Sequence, residues 1–187
     1  MAALTVYVPP AITTQPQSQT VTQGVNVAFS VMASGTTPLS YKWSFNGTAV
    51  SGATSSALAL SNVQTTDAGS YTVIVTNVVG SVTSAVAALT VLVPPAIQTQ
   101  PTNLTVMQSL NAAFSVVASG TAPRGYQWSL NGVALSGATK ASLALSNVQP
   151  AQVGGYSVVI TNSSGSVTSA VATLAVIAVP PGSYVGR

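Results

Sequence analysis

The chain has 187 residues, of which 47 % are apolar and only 3 % charged, with a net charge of +3. That length allows two small domains, and the apolar share allows each a core. Four scattered cations, one carboxylate and no His or Cys exclude a multi-phosphate nucleic-acid contact, a paired acid–base site, and a zinc or multi-carboxylate calcium site.

The first element is "LTVYVPPAITTQP" at Leu4, which recurs as "LTVLVPPAIQTQP" at Leu89. From Val8 the match runs without a gap, residues 8–92 on residues 93–177. Trp43 returns as Trp128 and Tyr71 as Tyr156, and about 53 of the 85 aligned pairs are identical. The repeat predicts a domain at 9–93 and a second at 94–178. Residues 1–8 then read as the tail of a preceding repeat, and 179–187 as a C-terminal extension. "MAALTVYVPP" lacks the basic start and apolar helical stretch of a signal peptide. No apolar stretch reaches the length of a membrane-spanning helix.

Within each unit the period is two. "VNVAFSV" puts Val27, Phe29 and Val31 on one face and Ala28 and Ser30 on the other. "YKWSF" groups Tyr41, Trp43 and Phe45, so that Lys42 points outward. Asn46-Gly47 and Asn131-Gly132 follow and suit tight hairpins with positive φ. "LAL" pairs Leu58 with Leu60, and "YTVIV" aligns Tyr71, Val73 and Val75. Short alternating runs broken by Gly, Pro and Asn predict antiparallel strands, with no helix. The sequons at Asn46, Asn103 and Asn162 are expected to be loop and turn residues first.

A strand residue, then Trp, then Asp-x-Gly-x-Tyr-x-core reads here as Val31, Trp43 and "DAGSYTV" (Asp67, Gly69, Tyr71, Val73). The second copy is Val116, Trp128 and "QVGGYSV" (Gln152, Gly154, Tyr156, Val158). This pattern resembles the immunoglobulin-like domains. The resemblance implies an all-β chain of two tandem antiparallel β-sandwiches joined by a short Pro-Pro linker. It implies that Trp43 and Trp128 are core residues rather than sugar platforms, and that Tyr71 and Tyr156 are corner tyrosines. It places Val31 with Val73, and Val116 with Val158, where the family's disulfides lie. Asp67 is expected to accept backbone amides of the turn before its strand, a role Gln152 could partly mimic.

Cysteine-free tandem units linked by Val-Pro-Pro also resemble the arrays of large bacterial secreted and surface proteins. That implies a non-enzymatic structural or adhesive spacer, extracellular or at the cell surface, without a cofactor. Pro94-Pro95 favours an extended junction. The implied partners are other immunoglobulin-like repeats or copies of the chain itself, with Leu4, Val6 and Val8 as self-association candidates. A glycan or protein ligand is not identified. The alternatives are a segment of an extracellular filament or sheath, which the near absence of charge favours, and a glycan-binding accessory module of a secreted enzyme.

Overall fold

Side-chain alternation sets the strands. Val27 and Phe29 are buried while Ala28 and Ser30 are exposed, and the pattern recurs in Ala112 to Ser115. The computed structural model describes residues 4–178. The extension expected at 179–187 lies outside the described residues, as do Met1 to Ala3. The chain divides into two compact units, Met1–Leu92 and Val93–Arg187.

In the first unit the strands are β1 (Ala11–Thr14), β2 (Gln19–Thr22), β3 (Val27–Ser30), β4 (Met32–Ser34) and β5 (Ser40–Phe45). They continue with β6 (Thr48–Ala49), β7 (Ala57–Leu60), β8 (Gly69–Thr76), β9 (Ser81–Thr83) and β10 (Ala87–Leu92). One sheet runs β2-β10-β8-β5-β6, with β9 also on β8; β3 pairs with β7, and β1 with β4. The pairings are antiparallel except β2 with β10, which is parallel from Gln19 opposite Leu89 to Thr22 opposite Leu92. The second unit repeats the order. Its strands are β11 (Ala96–Thr99), β12 (Leu104–Met107), β13 (Ala112–Ser115), β14 (Val117–Ser119) and β15 (Gly125–Leu130). After them come β16 (Val133–Ala134), β17 (Ser142–Leu145), β18 (Gly154–Asn162), β19 (Gly165–Thr168) and β20 (Ala172–Ile177). The expected all-β architecture is therefore present in both units.

The expected hairpins form where Asn-Gly stands. Phe45 pairs with Thr48, which leaves Asn46 and Gly47 as a two-residue loop at φ 49° and 81°. Positive φ at both central residues matches the right-handed twist of the flanking strands. A single 3-10 turn, Thr65–Asp67, leads into β8, and Pro150–Gln152 does the same for β18.

Each core is centred on aromatic rings from both layers. Phe29 stacks on Tyr71 at 4.8 Å between centroids and lies 6.3 Å from Trp43. Phe114, Tyr156 and Trp128 repeat this at 4.7 and 6.1 Å. Burying a large apolar side chain contributes roughly 1.5–3 kcal/mol, so these rings carry much of each unit's stability.

One strand of the usual sandwich is missing. The immunoglobulin arrangement places a strand D beside strand E. Here the chain from Val50 to Ser56 forms no strand, and among the described residues β7 pairs with β3 alone.

Candidate functional site

The residues expected to form the core do come together. Val31, Trp43, Tyr71 and Val73 pack in one buried cluster, and Val116, Trp128, Tyr156 and Val158 in the other. Both Trp rings are fully enclosed. An enclosed indole N–H needs an acceptor. Trp43 Nε1 donates to the Ser55 carbonyl and Trp128 Nε1 to the Lys140 carbonyl, both at 2.9 Å. The rings are thus unavailable as sugar platforms. Lys42, one position along the strand, is exposed.

The corner tyrosines close the turn before β8. Tyr71 Oη donates to the Asp67 carbonyl at 2.8 Å, and Tyr156 Oη to the Gln152 carbonyl at the same distance. The Gln64 amide donates to the Asp67 carboxylate at 2.7 Å. In the second unit the Gln149 amide donates to Gln152 Oε1 at 2.8 Å. A side-chain amide oxygen replaces the carboxylate oxygen with no change in the bond's pattern.

Burial pushes the Tyr71 hydroxyl above its ordinary pKa, and the nearby charge of Asp67 pushes the same way. Burial does this for Tyr156. The folded state then holds these protons more tightly than the unfolded chain. The associated stability is complete below the unfolded value of about 10 and is lost as pH rises through the folded one. Chemical denaturation at stepped pH should show midpoints falling from about pH 10 upward. Tyr71→Phe should flatten that fall for the first unit and lower its neutral-pH stability by roughly 0.5–1.5 kcal/mol. An unchanged alkaline profile in Tyr71→Phe would remove the tyrosine from this role.

Several site residues escaped the sequence reading. Asn77 and Asn162 hold the start of each unit. Asn77 Nδ2 donates to the carbonyls of Val8 and Thr36 at 2.8 and 2.9 Å. Asn162 Nδ2 does so to Val93 and Thr121 at 2.8 and 3.0 Å. The Val8 amide donates to Thr36 Oγ1 at 2.8 Å, and the Val93 amide to Thr121 Oγ1 at 2.7 Å. Val8 is therefore bonded to the first unit and Val93 to the second, with the division between the two compact units falling between Leu92 and Val93.

Gly35 lies beside this clamp at φ 136°, and a Cβ there would sit 2.8 Å from the Pro9 carbonyl oxygen. Ser84 is a buried hydroxyl that accepts the Val73 amide at 3.0 Å and donates to the Ala85 carbonyl at 2.8 Å. The available signal was identity between the copies: Thr36, Gly35, Asn77 and Ser84 recur as Thr121, Gly120, Asn162 and Ser169. The amide nitrogen of the Asn162 sequon is engaged with two carbonyls, so a sugar there would displace the clamp. Asn46 and Asn103 use their side-chain oxygens on the Ser70 and Thr173 amides.

The self-association candidates do not sit in a strand. Leu4, Val6 and Val8 are 90 %, 71 % and 50 % exposed in a segment ahead of β1.

The immunoglobulin domain family matches residues 9–77, and the immunoglobulin I-set domain matches residues 95–176. Hemicentin-1 of Mus musculus is 32 % identical over 190 residues, covering 95 % of this chain and 3 % of hemicentin-1. Roundabout homolog 3 of Homo sapiens is 28 % identical over 193 residues, covering 89 % of this chain and 14 % of that protein. The chain thus spans a small part of either curated relative. The titin I-band fragment I67–I69 superposes with a TM-score of 0.75 at 21 % identity, covering 91 % of this chain and 66 % of the fragment. The bacterial part of the sequence resemblance is not supported, because the matched relatives are animal proteins. The Val–Val replacement of the disulfide is a packing solution open to any lineage and does not mark a source.

Proposed function

Because the chain carries two immunoglobulin-like domains in tandem, we propose that it is a non-catalytic structural and adhesive spacer module of an extracellular or cell-surface protein. The observation that carries this reading is the duplicated clamp. Val8 is held by Asn77 and Thr36 of the first unit, and Val93 by Asn162 and Thr121 of the second. A module fastened in this way can be strung in series without a change to its interior. The composition points the same way, since one carboxylate and no His leave no pair for acid–base chemistry. The partners are other immunoglobulin-like repeats or copies of the chain itself.

The test is retention of the intact chain on glycan and matrix-protein arrays. The spacer reading expects no glycan class to be retained. Specific retention of one class would replace it with the accessory-module reading.

A further inference from the structure

We propose that the open edge of β7 in the first unit is a pairing site for the same edge in a second copy of this chain. The missing strand D leaves that edge bare. The Val31 amide donates to the Ser56 carbonyl at 2.9 Å, which makes Val31 and Ser56 a hydrogen-bonded pair. Antiparallel ladders alternate hydrogen-bonded with non-hydrogen-bonded pairs. In the register Val27–Leu60, Ala28–Ala59, Phe29–Leu58 and Ser30–Ala57, Leu58 and Leu60 therefore bond to β3. Ala57 and Ala59 turn their N–H and C=O groups away from β3, to the open side. None of the hydrogen bonds found among the described residues reaches those groups. Unpaired donors and acceptors two residues apart are a template for another strand.

The occupant follows from symmetry and charge. A two-fold axis through Leu58 sets Ala57 opposite the second copy's Ala59, and the reverse. Both are then hydrogen-bonded pairs, so one edge satisfies its own copy. The side chains at Ala57 and Ala59 are small and exposed, while Leu58 stays in its own core. Edge strands are normally guarded by charge, proline or a bulge. The stretch Ser55–Ser61 has neither charge nor proline, and its register with β3 is unbroken. The other unit differs at three positions: Lys140, Ala141 and Ser142 stand where the first unit has Ser55, Ser56 and Ala57, and of these only Lys140 brings a charge. A lysine two residues before β17 is such a guard, which assigns the pairing to β7.

The experiment is sedimentation velocity on the full chain over a wide concentration range, with two variants. Wild-type protein is expected to show a monomer–dimer equilibrium. Ala59→Pro removes an outward N–H, which an edge position tolerates, and should weaken the dimer by about tenfold or more. Ala59→Lys places like charges across the axis and should weaken it similarly with an unchanged melting curve. In the cysteine-free chain, a mixture of Ala57→Cys and Ala59→Cys proteins should form a mixed disulfide, since facing positions of such a pair have Cα atoms about 5.5 Å apart. Monomer at every concentration overturns the proposal. So does a dimer indifferent to both Ala59 variants, or equal cross-linking through Ser142→Cys and Ala144→Cys.

Discussion

Trp43→Ala is expected to unfold the first unit at temperatures where the second remains folded. The ring is fully enclosed and touches the Phe29 side of the core. Deleting it removes the transfer free energy of a large aromatic and leaves a cavity, together about 3–5 kcal/mol. It also strands the Ser55 carbonyl, which loses the indole N–H it accepts. A small domain has only about 5–15 kcal/mol of total stability, so the loss is a large fraction of it. Calorimetry should resolve one early transition in the variant and one near the wild-type position, from the unit that keeps Trp128. Native Trp emission should be blue-shifted in the wild type. A solvated emission spectrum, or a melting curve unchanged by Trp43→Ala, would overturn the core assignment.

Joint replacement of Val31 and Val73 by Cys is expected to act in the opposite direction. Both residues lie in one cluster, at 3 % and 0 % exposure. Their burial is that of the family's disulfide, without the cross-link. A bond between them would close a loop of about 43 residues and stabilise the unit by roughly 2–4 kcal/mol, chiefly by restricting the unfolded chain. The check is the thiol count after mild oxidation, followed by the denaturation midpoint with and without reductant. Persistently free thiols would mean that the Cα atoms lie beyond the roughly 4.4–6.8 Å a disulfide spans.

The strands were legible because burial and period agree in them. Val27 and Phe29, or Tyr71, Val73 and Val75, alternate with exposed or half-buried neighbours, and a period of two has no competing reading. The Asn46-Gly47 turn was legible because its backbone admits few residues. The clamp was not, because Asn77 makes its bonds to Val8 and Thr36 across long stretches of sequence. In the sequence it is one polar loop residue among many. The bare edge of β7 was illegible for a different reason. A missing strand leaves no residues to read, and its absence shows only when the pairing of β7 is known.

The clamp also bears on how such a chain can grow. The Leu92 carbonyl accepts the Gln23 amide at 2.8 Å, inside the first unit. The Val93 amide, on the other side of the same peptide bond, donates to Thr121 inside the second. A duplication that inserts residues 93–177 again at this seam would hand each copy its own complete set of fasteners. Point changes could then accumulate in one copy without altering how the next is secured. The Ser55 and Lys140 pair shows such divergence within a backbone plan that both copies keep. Recombination at this bond would produce arrays of any length from a single gene segment.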